Sequence, residues 1–450
     1  MKRIRFTTTQ IILLSFLLVI LIGSLLLALP ISSTNGTAVP YIDALFTATT
    51  STCVTGLVTL PTFSTWSVFG QIVILMLIQV GGLGVITIMT GWMLLLNRKL
   101  GIGDSLLIQD AFNLNTMSGL VKFVKNVLFG TLIIEGIGAV LYMLVFIPEF
   151  GAKGIWISVF NSVSAFCNAG IDIIAENSLC NYATNPLINI VTSALIILGG
   201  LGYIVWWDVL HVVKSRFPKS RKIFRHLTLH SKIAITVTAG LILAGAILIL
   251  IFEYANPLTI GEMDLYDKIQ VSFFQSVTTR TAGFASVPQE NLTNASAAVS
   301  IILMLIGGSP VGTAGGMKTV TITVLICSAF ATIRNKNSAA LFGRRISDDS
   351  LKKAVAVVVM FLAICASSTV LILATSNASA IDAVYETVSA TATVGLSRNF
   401  TATLNAFGKL IIIVTMYFGR VGPISLAVAL GRKNESQNVI SEPTEDISIG

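Results

Sequence analysis

Charged residues are scarce in this chain, and histidine and cysteine are scarcer still. Only 11% of the 450 residues are charged, against 54% hydrophobic, whereas about a quarter of an ordinary globular domain is charged. This composition excludes a water-soluble protein and requires a surface that faces lipid. Three histidines and five cysteines without a CxxC pair predict neither a zinc site nor a disulfide framework.

Long apolar runs are abundant instead. A membrane span needs about 20 predominantly apolar residues, and the candidate runs lie near 11–30, 68–96, 126–147, 186–210, 233–252, 296–333, 354–374 and 404–430. We therefore predict an all-α membrane protein with about eight transmembrane helices. The first run looks like a signal peptide, but it is too long and Leu29-Pro30 is a poor cleavage site. We expect it to be retained.

The basic residues are unevenly distributed along the chain. Most of them lie at the two ends and in the three segments between span pairs, including the basic run at 214–232. The positive-inside rule places these segments and both termini in the cytoplasm. A nucleic-acid site at 214–232 is the alternative, but topology and anionic lipid account for the charge. We expect membrane lipid as a partner, and no nucleic acid.

Four short segments between paired apolar runs share one pattern. In each, an aromatic residue is followed ten positions later by a glycine and then by an apolar residue. The segments read FTATTSTCVTGL, FNSVSAFCNAGI, FFQSVTTRTAGF and YETVSATATVGL, and the pairs are Phe46/Gly56, Phe160/Gly170, Phe273/Gly283 and Tyr385/Gly395. The recurrence divides the chain into repeats 1–113, 114–225, 226–345 and 346–450, each predicted as helix, re-entrant loop and helix, the last with a short cytoplasmic tail.

The pattern suits a cation pathway, because a cation that crosses a bilayer must exchange its water for other oxygens. Rings of backbone carbonyls can supply them, and glycine tolerates the backbone that this requires. The preceding segments, such as 43–52 and 382–391, are long enough for short pore helices, whose C-terminal ends favour cations. No acidic residue recurs at the four positions, which argues against a calcium-type filter.

We call the four tetrapeptides that end on these glycines the glycine loops and predict that they line one ion pathway. They are Cys53, Val54, Thr55 and Gly56; Cys167, Asn168, Ala169 and Gly170; Arg280, Thr281, Ala282 and Gly283; and Ala392, Thr393, Val394 and Gly395. Small residues also mediate packing between membrane helices. That alternative predicts small residues scattered within spans, rather than one glycine per repeat between them.

The sixth apolar run is interrupted by GGSPVGTAGGMKT (307–319). Glycine and proline break helices, and a broken helix at membrane depth marks a functional site. Residues 312–319 come one residue short of a phosphate-binding P-loop, because Met317 occupies the second glycine position of the motif. The strand and helix that flank a true P-loop are implausible between spans. We predict a flexible loop beneath the glycine loops, and call 307–316 the interrupting loop.

Ionisable residues inside apolar runs point to the pathway or to a partner. Arg420 costs about 3 kcal/mol or more in lipid on insertion scales, so it should face the pore or an interaction partner. Glu135 and Lys318 pose the same question. We further hypothesise that Arg280, in the third glycine loop, pairs with Glu386 in the fourth pore helix.

These motifs resemble the Trk/Ktr/HKT superfamily of potassium transporters, and within it the KtrB-type membrane subunit. TCVTGL (52–57), AFCNAGI (165–171), TTRTAGF (278–284) and TATVGL (391–396) carry the resemblance, supported by LIQVGGLG (77–84) and FGRVGP (418–423). It implies four M1–pore-loop–M2 repeats around a central ion pathway. It also implies potassium uptake, because glycine stands at all four filter positions and potassium would be held by filter backbone carbonyls.

The resemblance also implies a gate and partners. The intramembrane gate would comprise Gly307, Gly308, Ser309, Gly312, Thr313, Ala314, Gly315 and Gly316, with Arg420 projecting into the pathway. The chain would form a homodimer in the plasma membrane, in contact with a cytoplasmic ring of RCK-type regulatory subunits that bind ATP or ADP. No cofactor is expected in the chain itself, potassium being the transported ligand, and sodium is implied as a stimulating ion.

Two other classes of protein remain as alternatives. A secondary transporter for another cation or polar solute would have inverted repeats, whereas the charge distribution gives every repeat the same orientation. A membrane-embedded enzyme would need His, Asp or Glu clustered within spans, and the chain has only isolated Glu135 and Asp208 there. We therefore predict no enzymatic activity.

Overall fold

The computed structural model describes residues 7–96, 101–112, 119–216, 223–336 and 338–422. The predicted cytoplasmic tail at 431–450 and the first residues of the chain lie outside them. In chain order the helices are α1 (Thr8–Leu27), α2 (Tyr41–Thr52), α3 (Thr62–Thr65), α4 (Val68–Leu83), α5 (Val85–Leu95), α6 (Ile102–Phe112), α7 (Leu120–Phe150), α8 (Lys153–Phe166), α9 (Pro186–Leu201), α10 (Tyr203–Arg216), α11 (Ile223–His226), α12 (Leu229–Glu253), α13 (Leu265–Thr278), α14 (Asn294–Leu305), α15 (Thr319–Ile333), α16 (Asp348–Thr375), α17 (Ala380–Ala392) and α18 (Ala406–Val421). A hairpin of β1 (Ala340–Leu341) and β2 (Arg344–Arg345) follows α15.

Each repeat contains a long apolar helix, which we call its first helix: α1, α7, α12 and α16. All four are long and apolar enough to cross a membrane. Only 22–33% of the residues in their apolar windows are buried, because large side chains such as Leu25, 61% exposed, point away from the protein. In water such a surface would be costly, so these helices are built to contact lipid.

A short helix and a glycine loop follow each first helix. The short helices α2, α8, α13 and α17 end beside the four glycine loops, as the sequence predicts. They are rich in hydroxyl side chains yet buried. Several hydroxyls donate to a carbonyl one turn earlier, as Ser51 does to Thr47 and Thr391 does to Thr387, which satisfies polar groups that would otherwise be unpaired at membrane depth.

The second helix of each repeat begins at a polar N-cap residue. Ser67, Asn185, Thr293 and Asn405 cap α4, α9, α14 and α18, and each side chain accepts a backbone amide of the first turn. A cap of this kind contributes about 1 kcal/mol to helix stability. The caps define where the chain leaves each loop and re-enters the membrane. We call this end of the repeats the mouth side and the opposite end the far side.

Two of the second helices are bent where the sequence suggested continuous apolar runs, near 68–96 and 186–210. The α4–α5 pair bends by 96° and the α9–α10 pair by 94°. Gly84 and Gly202 lie at the bends with φ of 86° and 87°, a backbone that residues with a Cβ rarely adopt. Residues 306–318 separate α14 from α15, and α18 ends at Gly422, which has φ 90°. Four uninterrupted spans and up to two bent ones are found in the described residues.

The repeats pack into a closed ring. The second helix of each repeat contacts the short helix of the next: α4 contacts α8, α9 contacts α13, α14 contacts α17, and α18 returns to contact α2. The glycine loops therefore meet at the centre of the ring.

Candidate functional site

The four glycines interlock around one axis. A Cβ added to Gly56 would meet the carbonyl oxygen of Ala169, and the equivalent atoms on Gly170, Gly283 and Gly395 would meet those of Ala282, Val394 and Thr55. Every one of these approaches is under 3.0 Å, which real Cβ atoms essentially never show. Each glycine thus accommodates the preceding carbonyl of the next loop, and the fourth loop closes the ring on the first.

The loops share one backbone conformation. Val54, Asn168, Thr281 and Thr393 have φ between 51° and 67°, and the four glycines also have positive φ. In all four loops the residue before the glycine donates its amide to a Ser or Thr carbonyl in the preceding helix. The bonds run from Thr55 to Thr50, Ala169 to Ser164 and Val394 to Ser389, each at 2.8 Å, and from Ala282 to Thr278 at 3.0 Å. The amides therefore point back toward the short helices, and these hydrogen bonds hold the loops in place.

The carbonyls of these loops differ from the amides. Within the described part of the chain, no hydrogen-bond donor reaches the carbonyl oxygens of residues 54–56, 168–170, 281–283 or 393–395. The great majority of buried carbonyls in proteins are paired. Four sets of buried, unpaired carbonyls in one ring can replace the hydration shell of a cation.

The interrupting loop lies against these loops on the far side. Thr313 donates its hydroxyl to the carbonyl of Phe166 and to the side-chain oxygen of Asn168, both at 3.0 Å. The amide of Gly315 donates to Thr281 Oγ1 at 3.2 Å. Two of the four glycine loops therefore hold the interrupting loop directly.

The bend between α9 and α10 holds the same loop from the side. Ser309 and Thr313 donate their amides to the carbonyls of Gly200 and Gly199 at 2.8 and 3.1 Å, and Tyr203 donates to Val311 at 2.9 Å. Lys318 folds back and donates its Nζ to the carbonyl of Ala314 at 2.6 Å. The predicted gate residues 307–316 thus form one compact structure, which lies between α14 and α15 and contacts the bend between α9 and α10.

Arg420 connects this loop to the first repeat. Its Nη1 donates to the carbonyl of Thr313, and its Nη2 donates to that of Gly81, both at 2.6 Å. The guanidinium retains its positive charge beneath the ring while bonding to neutral carbonyls. The sequence placed Arg420 at the pathway or a partner, and the structure brings it to the interrupting loop.

The hypothesis that Arg280 pairs with Glu386 is wrong. Arg280 donates Nη2 to the carbonyl of Gly307 at 2.8 Å. Glu386 accepts the hydroxyls of Ser397, at 2.7 Å, and Thr401, at 2.5 Å. The carboxylate of Glu386 therefore bonds to residues that follow its own glycine loop, whereas the guanidinium of Arg280 bonds to the interrupting loop.

Among the contacts that sequence reasoning missed are an ion pair between repeats 4 and 1 and the partner of Glu135. Lys409 of α18 pairs with Asp43 of α2, with side chains 15% and 8% exposed. The sequence shows an isolated charge of opposite sign in each of these two apolar regions. It contains no local feature that would pair two residues so far apart along the chain. Glu135 accepts a hydrogen bond from Gln79 at 3.1 Å, behind the second glycine loop. In the described ranges, no group of three His, Cys, Asp or Glu could hold a metal ion.

Comparison with known proteins shows the family to which this architecture belongs. The family model TrkH, described as a cation transport protein, matches residues 3–442. The chain belongs to the TrkH family. Members of this family are membrane cation transporters and not enzymes, and the four-repeat chain is a multi-pass membrane protein.

Individual relatives of this TrkH-family chain extend over its full length. The potassium/sodium uptake protein NtpJ of Enterococcus hirae is 40% identical, covering 100% of this chain and 98% of its own. The Ktr system potassium uptake protein B of Bacillus subtilis is 37% identical with the same coverage, and that of Vibrio alginolyticus is 35% identical, covering 98% and 94%. These names confirm the predicted KtrB-type resemblance.

A solved structure supports the fold. The crystal structure of the potassium transporter TrkH from Vibrio parahaemolyticus superposes with a TM-score of 0.75 over 96% of this TrkH-family chain and 86% of that one. Because the two sequences are only 16% identical, this similarity concerns the arrangement of helices and loops. It confirms the predicted all-α membrane fold.

Proposed function

We propose that this chain takes up potassium across the cell membrane, with the glycine loops as its selectivity filter. The observation that carries the proposal is the interlocked ring of buried carbonyls that have no donor among the described residues. Potassium needs such oxygens when it loses its water. Relatives named as potassium uptake proteins support the choice of ion. A membrane potential drives entry by ~2.3 kcal/mol per 100 mV.

In this proposal the interrupting loop is the gate. Thr313 lies directly beneath the second glycine loop, and Arg420 adds a positive charge next to it. A cation that leaves the filter would meet both before it reached the far side. Opening requires the loop to release its bonds to Gly199, Gly200 and Arg420.

We assign the far side to the cytoplasm, following the distribution of basic residues. Both termini, including 431–450, would then be cytoplasmic, and the mouth would open outside the plasma membrane. Each repeat (1–113, 114–225, 226–345 and 346–450) contributes one quarter of the pathway. In this proposal the chain forms a homodimer, which contacts regulatory RCK-type subunits in the cytoplasm that bind ATP or ADP, and sodium is a stimulating ion. Relatives named as components of Ktr systems support a multi-component assembly.

Rubidium uptake into liposomes tests the filter. The purified chain is reconstituted, and radioactive rubidium uptake is measured with potassium or sodium as competitor, for the wild type and Gly56→Ser. We expect potassium to compete better than sodium in the wild type. Because a side chain at Gly56 displaces the Ala169 carbonyl, this preference should weaken in the variant.

Gly36→Ser is the matched control. Gly36 also has a positive φ, 67°, but a Cβ there meets nothing within 4 Å. It should leave selectivity unchanged. A Gly56→Ser variant with unaltered selectivity would contradict the filter assignment. No cation flux in any protein, even with the regulatory subunits added, would contradict potassium uptake itself and favour a solute transporter.

A further inference from the structure

A groove of about 440 Å³ opens on the far side, where repeat 2 begins its first helix and ends its second. Two helices line it. The first turns of α7 contribute Lys122, Phe123 and Asn126, and one face of α10 contributes Trp207, Leu210, His211 and Lys214. The spacing of the second set is i, i+3, i+4 and i+7, which places all four side chains on the same face of a helix.

The rim of this groove is basic. Lys122, His211 and Lys214 are exposed, and none of the described residues that line the groove carries a carboxylate. The nearest acid in the sequence of α10 is Asp208, which accepts the amide and hydroxyl of Thr228 at 2.9 and 2.8 Å. That carboxylate is already used in holding the start of α12. Two lysine charges are therefore left to face the groove.

The walls of the groove are apolar. Phe123, Trp207 and Leu210 line the groove together with the basic residues, and Leu210 is 47% exposed. Beyond Asn126 the same face of α7 continues with Phe129 and Ile133, 68% and 46% exposed. This stripe leads from the groove along a helix that is built to cross the membrane. A ligand with a charged head and long apolar chains fits this shape, whereas a free inorganic anion would use only the rim.

The position of the groove relative to the bilayer also suits a ligand with a charged head and apolar chains. The 94° bend at Gly202 turns α10 away from the direction of α9, at the far-side end of the span. Aromatic and basic side chains are enriched at such interfaces, and basic pockets between membrane helices bind anionic lipid head groups. We infer that this groove is a binding site for an anionic phospholipid, with its phosphate at Lys122 and Lys214 and its acyl chains along Phe129 and Ile133.

Native mass spectrometry of the full chain tests this site without reference to transport. The detergent-purified protein is titrated with phosphatidylglycerol and, in parallel, with phosphatidylcholine. We expect phosphatidylglycerol to bind more tightly. Lys122→Gln with Lys214→Gln should weaken its binding about 30-fold, the equivalent of about 1 kcal/mol for each lysine near a head group.

Two further variants separate charge at this groove from net charge and from misfolding. Lys125→Gln with Lys336→Gln removes the same charge from exposed residues outside the groove and should bind as the wild type does. Lys122→Arg with Lys214→Arg keeps both charges and should restore binding. Equal phosphatidylglycerol binding by the neutralised and wild-type proteins would overturn the inference.

Inorganic phosphate distinguishes the lipid from a small anion. If the groove binds a lipid, millimolar phosphate should not displace phosphatidylglycerol, because phosphate lacks the apolar contacts. Displacement by phosphate at that concentration would overturn the lipid assignment in favour of a free anion. Loss of a protein partner in the neutralised variant, with lipid binding intact, would overturn it in favour of a protein interface.

Discussion

Arg280 and Gly307 join the third glycine loop to the beginning of the interrupting loop, through a hydrogen bond of 2.8 Å from the guanidinium to the carbonyl oxygen. The next residue, Thr281, accepts the amide of Gly315 near the other end of that loop. Arg280 is 5% exposed, and its Nη1 has no partner among the described residues. Adjacent residues of one glycine loop thus hold both ends of the proposed gate, which couples the two structures mechanically.

Arg280→Gln should loosen this gate. Loss of the bond leaves the buried Gly307 carbonyl unpaired, at a cost of about 1–3 kcal/mol to the closed arrangement. We expect several-fold faster rubidium uptake without regulatory subunits, and a smaller increase for Thr281→Val. Arg334→Gln, at the exposed end of α15, is the control. Uptake by Arg280→Gln at the wild-type rate would show that the contact does not restrain the gate.

Arg420 should act on the same gate from the other side. Arg420→Gln removes a positive charge from beneath the ring and shortens the donor that reaches Thr313 and Gly81. We expect faster inward rubidium flux at every membrane potential, by roughly tenfold if about 1.4 kcal/mol of barrier is lost. Arg420→Lys keeps the charge but not the two-armed geometry. Rubidium flux through Arg420→Lys should lie between that of the wild type and that of Arg420→Gln. If Arg420→Lys and Arg420→Gln gave the same flux, the charge would play no part.

The Lys409–Asp43 pair should support stability rather than conduction. It is largely buried and joins repeat 4 to repeat 1. Removing one partner of a buried pair typically costs 3–5 kcal/mol, because the other charge is left unpaired. Lys409→Met should therefore lower the thermal unfolding temperature in detergent, and adding Asp43→Asn should recover part of the loss.

The exposed pair of Lys353 and Asp349, with side chains 69% and 73% exposed, provides the control for this experiment. Lys353→Met should leave the unfolding temperature nearly unchanged, because exposed pairs contribute little. If the two lysine variants melted alike, the buried pair would not be a stabilising contact.

Asp172 should make uptake depend on pH. It lies two residues after Gly170 on the mouth side, and accepts the amide of Ile174 at 3.2 Å. Burial raises the pKa of its carboxyl to about 6, against hydrogen bonds from Ser178 and from backbone amides that lower it. The carboxylate is charged above that pH and attracts cations, and it becomes neutral below it.

Rubidium uptake should therefore fall as the external pH is lowered from 7.5 to 5, most steeply near 6. Asp172→Asn should abolish that step and give the low rate throughout. Glu176→Gln, a few residues further along the same loop and exposed, should keep the step. An unchanged pH profile in Asp172→Asn would assign the dependence to another group.

The repeats could be predicted from sequence because each depends on local features: an apolar run, a hydroxyl-rich segment, and a glycine at a fixed distance. The bends at Gly84 and Gly202 could not, since VGGLG (80–84) and LGGLG (198–202) also fit a straight helix with close packing. Side-chain partners were the weakest prediction. Arg280 and Glu386 lie in adjacent repeats, but which way each side chain points depends on how the ring closes. Glu386 is satisfied only 11 and 15 positions further along its own repeat.

All four quadrants of the ring come from one polypeptide. A symmetric tetramer must repeat every substitution four times, so it cannot place an arginine, an asparagine or a lysine in a single quarter of its pore. Here Asn168 and Arg280 each occur once, and the interrupting loop is anchored mainly to the second and third quarters. This asymmetry between the repeats places the proposed gate mainly against two quarters of the ring, so that one mutation in one quadrant can adjust it while the other three keep their geometry.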